Sequence, residues 1–398
     1  SRVPRVCVGW AGRAARALTT LVSASVLAVG ALAVAPAPAR AEDVITTQEY
    51  FSYYHLDTAR AKGYTGKGVT IALIDGPVDT SAPELKGANI TDKSRCTIEA
   101  SSKNKGHGFD MASILVSPNF GVAPDAALYS YQVSTANSIS AGTCEKDGEK
   151  LDTYARLINQ AIDDGAQIIS ISQGSGDDSE ELKWAVTRAM SEGVIIVNSA
   201  GNTAADANSD QLSHWSGVVG VSAITADGTF ADYSSWGNGV TTAAFGGPVR
   251  TRDDSDPTKL AVSKGTSNSA AIVSGLLALA RQKWPDATAN QLLQVLTQTA
   301  LNPNHEWNPY TGYGPIDGGA LVNTDPSQYP DENPLAQKEG GSKPTVADVQ
   351  DYGDGLVDPR YVSAGDSYTY RGVDPIVLDD RDIATPVHLG TSPRYHRK

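Results

Sequence analysis

The sequence predicts an α/β fold, with a mostly parallel central sheet flanked by helices. Between about residues 44 and 330, short runs of β-branched apolar residues alternate with amphipathic stretches of helical length. The apolar runs are nearly continuous, which is typical of strands covered on both faces. The strand candidates are residues 69–74, 128–133, 167–172, 194–198 and 218–224.

Three stretches between or after these runs are predicted to be helices. Residues 151–163 and 180–191 place apolar side chains at helical intervals, and each stretch is followed by a glycine, Gly165 or Gly193, at which a helix can end. Residues 266–284 are apolar nearly all round and stop before Pro285. We expect this third helix to be buried.

The composition limits the classes of protein to which this chain can belong. The chain has 398 residues, of which 40% are hydrophobic, so it holds enough apolar material for one large or two ordinary domains and is not disordered throughout. Its 32 Lys and Arg against 45 Asp and Glu give a formal charge of −13. A nucleic acid or an anionic membrane would then need a local basic patch, and the sequence has none, so we expect neither partner.

Residues 1–41 are typical of a secretory signal peptide. They carry five arginines and no acid around an apolar run at 18–35, and they end in Ala39-Arg40-Ala41. Cleavage after Ala41 would release a secreted, extracellular protein with no membrane attachment and a charge of −13 − 5 = −18. A permanent membrane anchor is the alternative.

The cysteines and the C-terminal residues give two further expectations. Cys7 would leave with the signal, so in oxidising surroundings Cys96 and Cys144 predict one disulfide, with two buried free thiols as the alternative. Residues 331–398 are rich in Asp and Pro and show no sustained period, which predicts an acidic tail that is a linker or weakly folded. The main domain is therefore placed at 42–330.

Four positions carry groups that could act together in chemistry. Asp75 ends the first apolar run, His107 lies between two glycines at the start of a helical stretch, Asn202 follows the fourth strand candidate, and Ser267 begins the buried helix. Each is ordinary alone, as a turn former, a cap or a surface histidine. Together they supply a carboxylate, a base, an oxyanion donor and a nucleophile, the four roles of acyl transfer.

The motifs around these residues resemble those of the subtilisin-like serine proteases, the subtilases, over about residues 50–325. The quoted stretches are Val69-Thr70-Ile71-Ala72-Leu73-Ile74-Asp75-Gly76, Gly106-His107-Gly108, Ser199-Ala200-Gly201-Asn202, Tyr233-Ser234-Ser235-Trp236-Gly237, Gly265-Thr266-Ser267 and Gly312-Tyr313-Gly314-Pro315-Ile316-Asp317. The resemblance implies a three-layer subtilisin-like fold and a serine endopeptidase.

The resemblance also implies roles for individual residues. Asp75, His107 and Ser267 would form the triad, and Asn202 would donate to the oxyanion. Ser172, Gln173 and Gly174 stand where the family pairs with substrate backbone. The substrate would be a polypeptide and the enzyme a monomer. No cofactor or metal is required for the chemistry, and structural calcium, common in the family, has no assignable ligands in this sequence.

The sequence departs from the family pattern at three places. The histidine motif continues Phe109-Asp110-Met111-Ala112-Ser113 where most subtilases have Thr-His-Val-Ala-Gly. After the serine, Asn268 and Ala271 stand where Met and Pro are usual. Family-like sequence also begins near Glu49, so we expect no long folding propeptide of the kind that degradative subtilases carry, an arrangement similar to that of the mycosins.

Two other functions are compatible with these motifs. One is a dedicated processing protease for exported proteins, and the other is a catalytically inactive binding module of the same fold. A metal hydrolase is disfavoured, because no His-x-x-x-His or Cys pair has ligand spacing.

Overall fold

The computed structural model describes residues 43–135, 144–146, 149–174, 176–207, 211–339 and 343–357. The predicted signal peptide and residues 358–398 lie outside them. In these ranges, none of the helices has both the length and the apolar character needed to cross a membrane.

Within the described ranges the strands and helices alternate along much of the chain. The strands are β1 Thr70–Asp75, β2 Ile90–Asp92, β3 Ala127–Gln132, β4 Glu145–Lys146, β5 Glu149–Lys150, β6 Ile168–Ile171, β7 Ile195–Ser199, β8 Val218–Ile224, β9 Val240–Phe245, β10 Val249–Arg252 and β11 Leu260–Ser263. The helices are α1 Glu49–Tyr53, α2 Leu56–Ala61, α3 Ser102–Val116, α4 Tyr154–Asp163, α5 Glu180–Glu192, α6 Thr266–Lys283, α7 Ala289–Gln298, α8 Gly318–Asn323 and α9 Val346–Asp354.

Seven strands form the central sheet in the order β2-β3-β1-β6-β7-β8-β9, and every neighbouring pair is parallel. The chain leaves β1 for β3 on one side and later returns to β6 on the other side. Ligands bind at such switch points, where two neighbouring strands diverge to opposite sides. The carboxyl ends of β1 and β6 are therefore the expected place for a site.

The two faces of the sheet bury two separate cores. Ile71 and Leu73 of β1 belong to the core that includes α3, α6 and α7, whereas Ala72 and Ile74 belong to the core that includes α4 and α5. Successive strand side chains point to opposite faces, so a continuous apolar run is what a strand between two helical layers requires. The predicted three-layer fold is confirmed.

The predicted elements differ from the observed ones mainly at their ends, and some observed strands were not predicted. The predicted strands at 69–74 and 128–133 are each shifted by one residue, and the buried helix ends at Lys283. The helix that carries His107 was expected to begin near that residue, but it begins at Ser102 because the Ser101 side chain caps it. Two strands of the central sheet, β2 and β9, were not predicted.

The folded unit continues beyond residue 330, where the sequence analysis placed its end. Leu335 is buried in the core that includes α6, and its carbonyl accepts the N–H of Gly217. Helix α9 packs on α5, where Tyr352, Trp184 and Val357 form a small core. Residues 331–339 and 343–357 are thus part of the fold, in contrast to the expected linker or weakly folded tail.

Cys96 and Cys144 form the predicted disulfide, with Cα atoms 5.6 Å apart. The bond closes a loop across 48 positions of sequence.

Candidate active site

Asp75 and His107 form a hydrogen-bonded pair at the carboxyl end of β1. His107 Nδ1 lies 2.8 Å from Asp75 Oδ1, and the Asp75 side chain is wholly buried while the imidazole is 28% exposed. The same carboxylate oxygen accepts the N–H of Gly76 at 2.7 Å. A carboxylate only accepts, so His107 carries its proton on Nδ1, which leaves Nε2 as the basic nitrogen.

Two glycines allow α3 to approach β1 closely enough for this contact. A Cβ on Gly76 would lie 2.3 Å from the carbonyl oxygen of Asn104, and a Cβ on Gly108 would lie 2.5 Å from that of Pro77. Real Cβ atoms do not come so close. The glycines that flank the Asp and His motifs therefore have a packing function, because they set the separation between the strand end and the helix.

The segment after β6 lies against this pair. Gln173 Nε2 donates to Asp75 Oδ1 at 3.1 Å and lies 3.2 Å from His107 Nδ1. Asn198, at the end of β7, donates its amide to the carbonyls of Ile171 and Gln173 at 2.8 and 3.1 Å. The sequence analysis gave Gln173 a place beside substrate backbone. The structure adds a contact of its side chain with the carboxylate.

Ser267 occupies the first turn of α6. Its hydroxyl donates to the carbonyl of Ser172 at 3.0 Å, and within the described residues no hydrogen bond joins Ser267 to His107. The first N–H groups of a helix have no partner within the helix, so the N–H of Ser267 is placed as a free donor of the helix terminus.

Asn202 lies beside the same helix start. Its amide oxygen accepts both the N–H of Thr266 at 2.8 Å and the Thr266 hydroxyl at 3.0 Å. A backbone N–H can only donate, so the amide oxygen must face Thr266, which leaves the Nδ2 hydrogens as donors. The Nδ2 atom lies 3.2 Å from the position that a Cβ on Gly265 would occupy.

The pKa of His107 is raised above its ordinary value. Burial is the largest single effect and lowers this pKa, but it is outweighed by the charge and hydrogen bond of the Asp75 carboxylate together with the charges of Asp110 and Asp254. The imidazole is therefore a stronger base than in water.

The two positions after Ser267 that depart from the family pattern, Asn268 and Ala271, are well packed. Asn268 is buried, and its amide donates to the Gly246 carbonyl at 3.2 Å and to the Ser263 hydroxyl at 3.3 Å. Ala271 is fully buried in the core of α6. Across the described ranges, no group of three or more His, Cys, Asp or Glu side chains is arranged to hold a metal ion.

Residues 66–314, more than half of the chain, match the model of the subtilase family. The chain belongs to the subtilase family. It is a subtilisin-like serine endopeptidase, and its substrate is a polypeptide.

Proteins of known name that are similar to this subtilase support its assignment to the family. A thermostable alkaline protease of Halalkalibacterium halodurans is 30% identical over 277 residues, covering 68% of this chain and 70% of the relative. Mycosin-4 of Mycobacterium tuberculosis is 31% identical over 260 residues, or 55% of this chain and 57% of the mycosin. The crystal structure of MycP1 from the ESX-1 type VII secretion system superimposes with a TM-score of 0.58 at 25% identity, over 74% and 90% of the two chains.

Sequence reasoning gave no role to several residues that touch this site. Thr266 was quoted only as part of a motif, and Asn198 only as the last residue of a strand candidate. A polar residue at the end of an otherwise apolar strand was the available signal for Asn198. Asp110 and Asp254, which also act on His107, come from a helix face and a distant loop, and only the fold brings them together.

Proposed function

We propose that this subtilase is a secreted endopeptidase that cleaves peptide bonds with Asp75, His107 and Ser267 as its catalytic triad. The observation that carries the proposal is the 2.8 Å pairing of a buried carboxylate with His107 Nδ1, which leaves Nε2 as a base. This pairing lies at the same sheet edge as the segment that contacts Ser267.

The proposed reaction begins with a change at Ser267. Its hydroxyl, which donates to the Ser172 carbonyl in the free protein, would turn towards His107 Nε2 when substrate binds. Catalytic hydrogen bonds in free enzymes often form only with substrate bound. His107 takes the hydroxyl proton as Oγ attacks the peptide carbonyl, and it then gives this proton to the departing amine. Water hydrolyses the acyl-enzyme by the same steps.

The negative charge of the tetrahedral intermediate would be held by two donors. These are the Nδ2 group of Asn202, whose oxygen is fixed by Thr266, and the N–H of Ser267 at the start of α6. Donors that are already fixed need not reorganise when the charge develops. None of these steps needs a cofactor.

Substrate would bind as an extended chain beside Ser172, Gln173 and Gly174. Asn198 holds the backbone of this segment through two hydrogen bonds, and Gly174 is exposed. An extended peptide can then pair with the segment through backbone hydrogen bonds. We therefore expect unfolded or loop peptides to be the substrates.

A second candidate function is the processing of one or a few exported proteins. It is supported by the likeness to mycosin-4 and to MycP1, whose structure is described as part of a type VII secretion system. Cleavage profiling with a peptide library separates the two functions, because a degradative enzyme cuts many sequences and a processing enzyme cuts few.

A fluorophosphonate probe tests the proposed catalysis. We expect the secreted protein to be labelled covalently at Ser267, and the labelling to be lost in Ser267→Ala and strongly slowed in His107→Ala. Mass spectrometry of the labelled peptide identifies the modified residue. A folded wild-type protein that stays unlabelled would contradict the proposal and favour the inactive binding module.

A further inference from the structure

Asp110 is a second carboxylate on the helix that carries His107. It lies three residues further along α3, so the two side chains share one face of the helix. Most subtilases have a histidine at this place in the motif, so the carboxylate is a property of this chain. Asp110 is half-buried.

Asp110 is hydrogen-bonded to the strand pair β10–β11. The hydroxyl of Thr251, on β10, donates to Asp110 Oδ1. Strand β10 pairs with β11 in antiparallel register, and β11 leads through Lys264 to Ser267. The hydrogen bond therefore ties the helix of the proposed base to the strand pair that precedes the proposed nucleophile.

A third carboxylate, Asp254, comes from the loop between β10 and β11, and its charge acts on His107. Asp254 Oδ1 lies only 2.0 Å from where a Cβ on Gly106 would be, so it contacts the residue that precedes His107. Asp110, Thr251 and Asp254 together line a cavity of about 240 Å³. Arg252 also lines it, but its guanidinium is engaged with the buried carboxylate of Glu84 at 2.6 Å.

The charged groups around His107 therefore come from three elements. Asp75 belongs to β1, Asp110 to α3 and Asp254 to the loop after β10. Lys103, one turn before His107, is a cation that acts on Asp254. Gln173 contributes a neutral amide from the segment after β6.

We propose that Asp110 is a positioning residue that acts through His107: its carboxylate stabilises the imidazolium form and so sets the pH range in which His107 can act as a base. This inference rests on the proposed function. A negative charge near an imidazole favours its protonated form, so removing the charge must lower the pKa of His107.

Asp110 is itself a titratable group, and its charge and that of His107 act on each other. Burial raises the pKa of Asp110 to about 7, against the opposing effects of the Thr251 hydrogen bond and the His107 charge, while Asp254 and Asp75 add to the rise. Two titratable groups whose charges act on each other lose their protons as a coupled pair. The acid limb of the pH–rate profile then reflects the titration of the His107–Asp110 pair and not that of His107 alone.

Asp110→Asn tests the inference directly. The amide has the shape of the carboxyl group and keeps an acceptor for Thr251 but carries no charge. We expect the pKa of His107, followed by NMR of the labelled imidazole, to fall by about half a unit to one unit. The acid limb of fluorophosphonate labelling should move to lower pH by the same amount. Asp286→Asn, an exposed site of equal charge change at the far end of α6, should leave both unchanged.

Thr251→Val provides a second variant that keeps the carboxylate. Without its hydrogen bond, Asp110 is more protonated near pH 7, so the pKa of His107 should fall in the same direction by a smaller amount. An unchanged pKa of His107 in a folded Asp110→Asn protein overturns the inference, and so does labelling that is slowed equally at all pH values. If Asp110→Asn does not fold, an unchanged pKa in Thr251→Val overturns it. The NMR readout does not depend on activity, so failure of the proposed function is seen separately, as an unlabelled wild type.

Discussion

At the scale of single residues, the site depends on groups that have only one way to form their hydrogen bonds. The N–H of Thr266 can only donate, so Asn202 must turn its amide oxygen towards it and present the Nδ2 hydrogens elsewhere. Asp75 can only accept, which fixes the tautomer of His107. Donor and acceptor chemistry thus fixes the orientation of the Asn202 amide and the tautomer of His107, and both are set before substrate binds.

Asn202→Ala should lower kcat roughly 100- to 1,000-fold with a small change in KM, a magnitude transferred from the matching substitution in a subtilisin. The donor acts mainly on charge that develops in the transition state, which is why kcat carries the loss. Steady-state kinetics on a peptide substrate measure both constants.

The Thr266 variants provide the matched comparison. Thr266→Ala removes the hydroxyl contact to Asn202 at 3.0 Å and should cause a smaller loss, while Thr266→Ser keeps the hydroxyl and should stay near the wild type. An unchanged kcat in Asn202→Ala would remove this residue from the oxyanion site.

At the scale of elements, the site is assembled by how closely α3 and α6 approach the sheet. Helix α3 fits against the loop after β1 only because Gly76 and Gly108 have no side chains. Helix α6 is buried along most of its length, and Gly275 permits contact with Val122, where a Cβ would lie at 2.5 Å. Both proposed catalytic groups on helices therefore rely on small residues in the interfaces behind them.

Gly108→Ala should slow fluorophosphonate labelling by about 100-fold, because an error of about 1 Å in the position of a catalytic group has that effect. In a helix this change ordinarily stabilises by about 0.5 to 1 kcal/mol. Here the new Cβ would meet the Pro77 carbonyl, so we expect a lower melting temperature as well.

The control is Gly353→Ala, in α9, where a Cβ would have no neighbour within 4 Å. It should keep the labelling rate and leave the melting temperature equal or higher. If Gly108→Ala behaved in the same way, close packing of α3 would not be what positions His107.

At the scale of the whole molecule, residues 331–339 pack against the segments that precede β8 and β9. The Lys338 ammonium donates to the carbonyls of Ser213 and Gly239 at 3.0 and 2.7 Å. Burial lowers the pKa of Lys338 to about 7. Burial, with a contribution from Lys338, also lowers the pKa of the adjacent His214 to about 4.

This arrangement makes stability depend on pH in a defined window. The folded chain releases the Lys338 proton near pH 7, while the unfolded chain keeps it up to the ordinary value of 10.5. Between these values the unfolded state binds more protons, so the free energy of unfolding rises with pH. Lys338→Met should flatten this rise. Urea unfolding at pH 7 and pH 10 measures it.

Lys86→Met, at an exposed lysine, is the control and should keep the wild-type slope. Equal slopes in the wild type and in Lys338→Met would show that Lys338 does not lose its proton on the folded protein in this range.

The sequence by itself determined the fold class and the identity of the chemical groups, because both are encoded locally. Apolar runs of strand length fix a sheet buried on both faces, and the motifs around Asp75, His107, Asn202 and Ser267 are each contiguous. The ends of several predicted strands differ from the observed ends by one residue, since the residues at a strand end are compatible with either strand or loop.

Only the tertiary structure decided which groups act on His107 and where the folded unit ends. Thr251 and Asp110 are 141 positions apart, and Lys338 is 125 positions from Ser213. No local pattern marks such contacts, because a half-buried carboxylate on a helix and a lysine in a polar segment look solvated until another part of the chain packs against them. Residues 331–339 and 343–357 resembled a linker for the same physical reason: Leu335 and Tyr352 are buried only because helices formed elsewhere in the sequence pack against them.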